Sequence, residues 1–298
     1  MVIRKPDPAA VRTLLDTALA EDGFDRDVTS EVTVSPDARD ESGRFELRAR
    51  EPGTFCGIAI FGAMAPRFAG AIKLSRAIND GERFAEGQRL ATLEGRVRTI
   101  LGVERSMLNF LQRLCGVATL TARYVAATGD TGVRIFDTRK TIPGWRVLDK
   151  YAVRCGGGCN HRMGLHDAVL IKDNHIGNAD PDRLSRIVRD ASDRIAKRDP
   201  RPDFVEVEVD TLDQFARVLS LPGIDVILID NFTIDHMREA AAMRDAAGLR
   251  DRVQLEVSGG VTLEAVPAIC RTGIDRIAVG ALTHSARAVD IGLDRIEA

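Results

Sequence analysis

The sequence has no strong charge imbalance, few cysteines and no long apolar run, and each absence excludes a class of protein. Its 298 residues include 42 Lys and Arg against 44 Asp and Glu, so the net charge of −2 gives no general attraction to nucleic acid or an anionic membrane. The five cysteines are odd in number and scattered, which predicts reduced thiols in a cytoplasmic protein. No segment approaches the length of a membrane span, and the first residues, MVIRKPDPAAV, lack the apolar core of a signal peptide.

Lysine is also scarce, and half of the lysines fall in one stretch, DTRKTIPGWRVLDKYAVRCGGGCNHRMGLHDAVLIKDNHI at 137–176. A basic run is usually a solvated surface loop. Here, however, the cations lie beside glycines and at the ends of apolar strands, where barrel enzymes collect ligand groups. Ammonium and guanidinium groups are not interchangeable, so the use of lysine here indicates chemistry rather than solubility. The stretch predicts a site for a concentrated anionic ligand, with the cations Arg139, Lys140, Arg146, Lys150, Arg154, His161, Arg162 and Lys172.

Residues 1–114 have the pattern of a small α+β domain with an antiparallel sheet. Apolar residues recur at helical spacing over 8–20 and again from residue 97 onward. Short strand-like runs lie between these segments and are separated by turns that contain Gly, Pro and Asp. We expect strands at 44–50, 54–58, 72–78 and 89–93, a helix near 60–68 and a turn-rich link at 22–30.

Residues 115–298 alternate apolar strands with helical segments, which predicts a parallel sheet covered by helices. Strands are expected at 133–137, 168–172, 204–209, 226–230, 253–257 and 276–279, and helices at 181–196, 212–219, 234–247 and 263–272. Six strands are too few for a complete eight-stranded barrel. The expected fold is therefore an incomplete, TIM-like α/β barrel of six to seven strands. The tail, about 288–298, is a candidate for a last strand that returns to the first domain.

Several predicted strands end abruptly in polar residues, which is typical of the active-site rim of an α/β barrel. These endings are 137–140, 172–175, 230–231 and 258–260. Glu206, Glu208 and Asp210 share one side of their strand because side chains alternate along a strand. Buried carboxylates need partners. Lys140 or Lys172 would supply a structural ion pair, whereas a carboxylate that faces a bound cation or a cationic transition state would be functional.

Glycines at two strand ends are candidates for phosphate binding. Barrels bind phosphate after their last strands, where backbone N–H groups and helix N-termini face the ligand. Simple turn glycines are the alternative at either position, but the pairing of two loops favours phosphate. The residues are Ser258, Gly259, Gly260, Gly280 and Ala281. A zinc site built from Cys155, Cys159, His161 and His166 is disfavoured, because C-x3-C-x-H does not match the usual C-x2-C spacing.

The basic stretch and five further motifs resemble the signature of the quinolinate phosphoribosyltransferases, also called nicotinate-nucleotide pyrophosphorylases (carboxylating). The motifs run in order along nearly the whole chain, which is far more specific than a single glycine motif. They are GRVRTILGVERSMLNFLQRLCGVAT (95–119), VEVEVD (205–210), ILIDNF (227–232), LEVSGGV (255–261) and IAVGALTHSA (277–286). The resemblance implies an incomplete barrel and a pentosyltransferase of NAD biosynthesis. The substrates would be quinolinate and phosphoribosyl pyrophosphate (PRPP), and the products nicotinate mononucleotide, pyrophosphate and carbon dioxide.

The resemblance also implies a role for each matching residue. Quinolinate would be bound by Arg139, His161, Arg162 and Lys172, together with Arg105 from the neighbouring subunit of a homodimer or higher oligomer. Lys140 would contact PRPP, and Glu208 and Asp230 would lie near its ribose and its Mg²⁺ ion. These last three would be the catalytic residues. The 5′-phosphate would be held by Ser258, Gly259, Gly260, Gly280 and Ala281.

Three other functions remain open on the sequence. A phosphoribosyltransferase of the same fold, of the kind encoded beside molybdenum-transport genes, would act on another substrate. An aldolase-type barrel would form a Schiff base at Lys172. A catalytically silent subunit would bind PRPP without turnover. The cations Arg139, His161, Arg162 and Lys172 favour quinolinate over the substrate of the first alternative, and the additional arginines would have no purpose in the second.

Overall fold

The structure is a computed structural model that describes residues 3, 5–33, 42–176 and 181–296. The chain forms two compact units. The first comprises Met1–Ala122, Thr141–Gly157 and Leu282–Ala298, and the second comprises Arg123–Lys140 and Gly158–Ala281. No helix in these described ranges is both long enough and apolar enough to cross a membrane.

The first unit contains a four-stranded antiparallel sheet in the order β12-β1-β5-β3. Its strands are β1 (Ser42–Ala49), β3 (Ile72–Arg76), β5 (Arg89–Arg96) and β12 (Ile291–Ile296). The tail of the chain therefore pairs with β1, with Leu47 opposite Leu293. A separate two-stranded pair joins β2 (Gly53–Thr54) to β4 (Arg83–Phe84). The strand expected at 54–58 is wrong, because the chain leaves β2 after two residues and enters a helix.

Among the helices of this unit are α1 (Pro8–Asp22), α2 (Val28–Thr33), α3 (Ile58–Arg67), most of α4 (Val97–Ala127) and α5 (Arg146–Cys155). Helix α1 begins at Pro8, where Asp7 accepts a hydrogen bond from the N–H of Ala9 at 3.1 Å, and it ends at Gly23 in the left-handed conformation. The turn-rich link expected at 22–30 instead contains a short 3-10 turn followed by α2, a correction to the sequence interpretation.

Helix α4 is the long amphipathic helix that the apolar periodicity from residue 97 predicts, and it continues to Ala127. Val103, Met107 and Leu111 are fully buried on one side, whereas Arg105 is exposed on another. The spacing of four residues places the three apolar side chains on a single helix face, which fixes α4 in the core of the unit.

The second unit is a six-stranded parallel sheet in the order β6-β11-β10-β9-β8-β7. Its strands are β6 (Arg134–Phe136), β7 (Val169–Ile171), β8 (Val205–Val209), β9 (Val226–Asp230), β10 (Gln254–Ser258) and β11 (Arg276–Ala278). All six match expected strands. Their cores, such as Val226 to Ile229, are buried on both sides, as apolar runs in a parallel sheet predict.

Helices alternate with these strands, and they are α6 (Asp173–Ile176), α7 (Pro181–Ala196), α8 (Leu212–Leu219), α9 (Ile234–Ala246), α10 (Val266–Cys270) and α11 (Ala281–His284). A further extended segment pairs with the sheet, since Cys159 forms a parallel bridge with Phe136 of β6. The expected incomplete barrel of six to seven strands, preceded by a smaller α+β domain, is confirmed.

Candidate active site

The carboxyl end of β6 is organised by Asp137, which is fully buried directly after the strand. Its carboxylate accepts hydrogen bonds from the backbone N–H of His161 at 2.8 Å and from the side-chain amide of Asn160 at 2.7 Å. Asp137 thereby joins the end of β6 to the segment that carries His161 and Arg162. Two distant parts of the basic stretch are brought together at this point.

Two arginines from these segments face each other electrostatically. Arg139 follows β6, and Arg162 follows His161. Burial, followed by the positive charge of Arg139, lowers the pKa of Arg162 from its ordinary value. The buried Nε of Arg139 has no hydrogen-bond partner among the described residues. Two guanidinium charges that interact repel each other, and an anion bound by both would relieve this repulsion, so the pair is suited to a carboxylate.

Lys172 and Glu208 form an ion pair at the ends of neighbouring strands β7 and β8. The lysine side chain is 39% exposed and the glutamate side chain 10% exposed, so the pair lies at the rim of the sheet rather than in its core. Glu208 thus has the lysine partner that was expected as one alternative. Both groups remain accessible to a ligand that would separate them.

Asp230 closes β9 and lies beside the end of β10, where it is paired in register with Ser258. The next residue, Asn231, has φ +54°, and its amide donates to Asp230 Oδ2 at 3.0 Å. Asparagine tolerates this left-handed conformation better than most residues. Gly259 fits against both, because a Cβ there would lie 2.4 Å from Asn231 Oδ1 and 3.0 Å from Asp230 Oδ1. Glycine is therefore favoured here by its φ of +92° and by the close approach of the Asn231 side chain.

The other expected ligand residues lie nearby in sequence and on the same edge of the sheet. Gly260 has φ +57° and open space where a side chain would project. Gly280 follows β11, and Ala281 begins the short helix α11. Lys140 is exposed after β6, with its backbone N–H bonded to Thr138 Oγ1 at 3.0 Å. Strands β6, β9, β10 and β11 thus each contribute residues to one carboxyl edge, as the barrel pattern predicts.

A buried cluster of charged side chains lies behind this edge, and its members are His161, Glu206, Glu256 and Arg276. His161 Nε2 lies 2.8 Å from Glu206 Oε2 and 3.4 Å from Glu256 Oε1. Arg276 Nε lies 2.6 Å from Glu256 Oε2, and the Arg276 guanidinium packs 3.9 Å from the centre of the Phe136 ring. His161, expected among the ligand residues, therefore directs its Nε2 at two core carboxylates.

The electrostatics of this cluster favour a protonated histidine. Burial by itself lowers the pKa of His161, but the hydrogen bonds and charges of Glu206 and Glu256 outweigh it and raise the pKa to about 9. The backbone N–H of Arg162 donates to Nδ1 at 2.8 Å, so a second ring proton has to displace this bond. The upward direction prevails because two buried carboxylates face Nε2, whereas one amide faces Nδ1. Burial and the nearby charge of Glu256 also raise the pKa of Glu206.

Four of the expected cations belong to the first unit: three from the basic stretch, and Arg105, which the family resemblance added. Arg146, Lys150 and Arg154 lie on α5, which the sequence interpretation treated as part of a loop. Lys150 is 1% exposed, so it is not available to a dissolved ligand. Arg105 lies on α4, where it is exposed and forms no hydrogen bond or ion pair with the described residues.

Two groups in the described ranges have the spacing of metal ligands: Cys56 with Asp80 and Cys155, and His161 with Glu206 and Glu256. The second group already contains the Arg276 guanidinium as its cation. In the first, Asp80 accepts from the N–H of Gly57 at 2.8 Å and of Ile58 at 3.1 Å, and burial holds the pKa of the Cys56 thiol well above its usual range. Each group therefore already has hydrogen-bond or ion-pair partners within the protein. The disfavoured zinc set of Cys155, Cys159, His161 and His166 is not among the groups with this spacing in the described ranges.

Sequence reasoning missed Glu256 and Arg276, and it named Asn231 only as part of a polar strand ending. A signal was present for Glu256, a lone carboxylate between Leu255 and Val257 in an otherwise apolar strand. An unpaired charge at such a position is costly, so a buried partner is required. Arg276 opens its strand and gave no comparable signal. Asn231 follows the aspartate of ILIDNF, but its left-handed backbone is visible only in the structure.

Comparison with known proteins gives a consistent result. Residues 27–115 match the family model of the quinolinate phosphoribosyl transferase N-terminal domain, and residues 117–294 match that of the C-terminal domain. The nicotinate-nucleotide pyrophosphorylase [carboxylating] of Mycobacterium leprae is 40% identical over 290 residues, which cover 96% of this chain and 97% of that protein. A probable nicotinate-nucleotide pyrophosphorylase [carboxylating] of Bacillus subtilis is 36% identical, covering 95% of this chain and 93% of that one.

The fold agrees with these sequence relationships. The structure of the nicotinate-nucleotide pyrophosphorylase from Francisella tularensis superposes with a TM-score of 0.87 and 35% identity, and the match covers 99% of both chains. Similarity of this extent includes both units and every strand end described above. The chain therefore belongs to the quinolinate phosphoribosyl transferase family.

Proposed function

We propose that the protein transfers the phosphoribosyl group of PRPP to the ring nitrogen of quinolinate, with loss of pyrophosphate and carbon dioxide, to give nicotinate mononucleotide. The observation that carries this proposal is that Asp137 joins the end of β6, which precedes Arg139, to the segment that carries His161 and Arg162, so that two arginines are available to one anion. Membership of the family, and the names of relatives that match nearly the whole chain, support the same activity.

Quinolinate carries two adjacent carboxylates, and the arginine pair offers two planar guanidinium groups. Bidentate pairing of arginine with a carboxylate fixes orientation as well as charge. Lys172 supplies a further cation on the same edge of the sheet. Its ammonium group would exchange its bond with Glu208 for one with the substrate, which leaves the Glu208 carboxylate facing the second substrate.

PRPP is the second substrate, and we place its ribose 5-phosphate at Asp230, at the Ser258-to-Gly260 turn and at Gly280 and Ala281. Backbone N–H groups at the glycines would approach the phosphate closely, because no side chain intervenes. Lys140 is exposed at the same edge and would neutralise the pyrophosphate. Glu208 and Asp230 present hard oxygen ligands of the kind that magnesium prefers, so they would hold the Mg²⁺ that PRPP carries. The ion would supply positive charge to the leaving pyrophosphate.

The reaction then requires charge stabilisation rather than a covalent nucleophile. The bond between the ribose C1 and the pyrophosphate oxygen breaks, and the electron pair leaves with pyrophosphate. The carboxylates of Glu208 and Asp230 stabilise the positive charge that develops on the ribose. The ring nitrogen of quinolinate donates its lone pair to C1, which produces a pyridinium. This ring accepts the electron pair of the bond to the 2-carboxylate as carbon dioxide leaves, and C2 then takes a proton from water.

We further propose a homodimer or higher homo-oligomer in which Arg105 completes the site of a neighbouring subunit. Arg105 is exposed on α4 and forms no hydrogen bond or ion pair with the described residues, which leaves its guanidinium available to another subunit. The cysteines are all free thiols, which suits a reducing cytoplasm. The Schiff-base alternative is disfavoured, because the amine of Lys172 is already engaged by the Glu208 carboxylate.

The proposal is tested by incubating the purified protein with PRPP and Mg²⁺ and with either quinolinate or nicotinate. We expect nicotinate mononucleotide and carbon dioxide in equal amounts from quinolinate, and neither product from nicotinate. Binding of PRPP without turnover would instead support the silent subunit. Turnover of another pyridine or of a different acceptor would support the related phosphoribosyltransferase.

A further inference from the structure

We propose that Glu206, Glu256 and Arg276 are positioning residues: together they form a buried charge clamp that fixes the His161 ring and, through it, Arg162 in the quinolinate site. This inference rests on the proposed function, because it concerns how the first substrate is held. None of the three belongs to the expected ligand set, and none lies at the exposed edge of the sheet.

The charge clamp is built from three strands and one loop. Glu206 lies in β8, Glu256 in β10 and Arg276 in β11, and His161 reaches them from the segment beside β6. Each of the four is at most 8% exposed. The ladder pairs Glu256 with Arg276 directly, so their side chains project from the same face of the sheet.

Both edges of the His161 ring are held. Glu206 and Glu256 face Nε2, while the backbone N–H of Arg162 donates to Nδ1 at 2.8 Å. Asp137 accepts from the N–H of His161 at 2.8 Å, which anchors the residue's backbone as well. Arg162 directly follows His161 in the chain, so the carboxylates that hold the ring and the Asp137 carboxylate that holds the His161 backbone together restrict the position of Arg162. The Arg162 guanidinium is then kept near Arg139.

Stability does not explain the charge clamp. Two carboxylates and two cations lose their hydration in this core, and replacing a buried ion pair by apolar groups of similar size is often neutral or stabilising. The pairing is also incomplete, since Glu206 Oε1 and Arg276 Nη2 have no hydrogen-bond partner among the described residues. Proteins break the rule of an apolar core mainly at functional sites. A role in positioning Arg162 at the carboxyl edge of the sheet explains why the protein retains buried charges that are costly to desolvate.

The first test replaces the buried pair without leaving an orphan charge, in the double variant Glu256→Met/Arg276→Met. We expect a folded protein whose KM for quinolinate rises about tenfold or more, with the KM for PRPP within about twofold of wild type, because misplacing a ligand group even slightly is costly. An unchanged KM for quinolinate in the folded double variant would overturn the proposal.

The matched control is Arg244→Met. Arg244 is also fully buried in the second unit and pairs with Asp275 at 2.5 Å. Arg244 lies on α9 and Asp275 directly precedes β11, so this pair lies at the amino end of the strands, opposite the site. That end of a barrel serves stability rather than the site. Arg244→Met should destabilise the fold while both KM values remain those of wild type. Equal rises of both KM values in the control and in the double variant would reduce the clamp to a structural role and refute positioning.

A spectroscopic readout separates this inference from the proposed function. The protein has five histidines, so the ring Nε2–H signal of His161 is identified in ¹⁵N-histidine-labelled protein by its loss in His161→Gln. Glu206→Gln keeps an oxygen that accepts from Nε2–H, whereas Glu206→Leu does not. We expect the signal to persist but shift in Glu206→Gln and to disappear by exchange with water in Glu206→Leu, with the KM for quinolinate rising in the same order. If the wild-type protein neither turns over nor binds quinolinate, the proposed function fails. The clamp fails by itself if Glu206→Leu leaves the His161 signal or quinolinate binding unchanged.

Discussion

Replacement of Gly259 by alanine tests whether the turn after β10 positions Asp230. Gly259 has φ +92°, and its added Cβ would lie 2.4 Å from Asn231 Oδ1 and 3.0 Å from Asp230 Oδ1. The first contact is far inside van der Waals distance, so the asparagine or the turn has to move. Asn231 also bonds to Asp230, which means that the displacement reaches a carboxylate expected to face the ribose.

The magnitude follows from comparing Gly259→Ala with Gly260→Ala. A non-glycine residue in the left-handed region costs about 1–2 kcal/mol, and both positions carry this cost. Gly260 has φ +57° and nothing within 4 Å of an added Cβ, so Gly260→Ala has no further steric cost. Overpacking at Gly259 adds roughly 1–3 kcal/mol. The difference between the two variants therefore isolates the collision with Asn231 and Asp230.

The assay combines urea unfolding with steady-state kinetics on both variants. We expect Gly259→Ala to lose about 2–5 kcal/mol of the free energy of unfolding and Gly260→Ala about 1–2 kcal/mol. The KM for PRPP should rise about tenfold more in Gly259→Ala, which corresponds to roughly 1.4 kcal/mol of lost binding. Equal stability and equal KM for PRPP in the two variants would refute the reasoning, because the contact with Asn231 would then have no consequence.

Three further predictions concern the catalytic groups, the shared site and the buried histidine. Lys140→Ala and Glu208→Ala should each lower kcat about 100-fold or more, since each removes a charge directed at the transition state, and wild-type turnover in either would contradict its role. Mixing Arg105→Ala with Lys172→Ala protein should restore activity at about one quarter of the sites, because random exchange makes half of the dimers mixed and each mixed dimer has one complete site; no recovery after confirmed subunit exchange would exclude a shared site. His161, with its pKa raised from 6.5 to about 9, should contribute stability that is fully present below pH 6.5 and lost as the pH rises to about 9. The free energy of unfolding of wild type relative to His161→Gln should fall by about 3 kcal/mol at most across that interval, and a flat difference would contradict the raised pKa.

The parallel sheet could be predicted closely because most of its strands are short, largely apolar runs bounded by turn or polar residues. Val226 to Asp230 is an example, in which four consecutive apolar residues are buried before the terminal aspartate. Helix α5 was not predicted, because its sequence, RVLDKYAVRC, is rich in charge and was interpreted as part of a ligand loop. Leu148 and Ala152 face the core at helical spacing, but the buried Lys150 between them interrupts the apolar pattern that predicts a helix.

The cations beside the glycines of this stretch suggested that the glycines belong to a ligand site, but the structure gives Gly156 a packing role. A Cβ on Gly156 would lie 2.4 Å from the backbone oxygen of Ala118, so the residue is glycine because α4 packs against it. A glycine required for close packing and a glycine required for phosphate binding look the same in a sequence. The distinction depends on which chain segment lies opposite, and that segment is distant in sequence.

The edge of the site could be predicted from strand ends, whereas the layer beneath it could not. Lys172 as a candidate partner for Glu208 was predictable, because both follow or close strands whose side chains alternate. The partner of Glu206 was not, since His161 approaches it from a loop outside the named strands. Contacts of this kind depend on the curvature of the sheet and on which loop covers it, and neither has a local sequence signal.

The most direct test of the central claim follows the 2-carboxylate of quinolinate, which the proposed reaction releases as carbon dioxide. Quinolinate labelled with ¹³C in its 2-carboxylate is incubated with the protein, PRPP and Mg²⁺, and the label and the nucleotide are measured together. The account predicts that all of the label appears in carbon dioxide, with one unlabelled nicotinate mononucleotide formed for each PRPP consumed. Label retained in the nucleotide, or PRPP consumed without nucleotide, would contradict it.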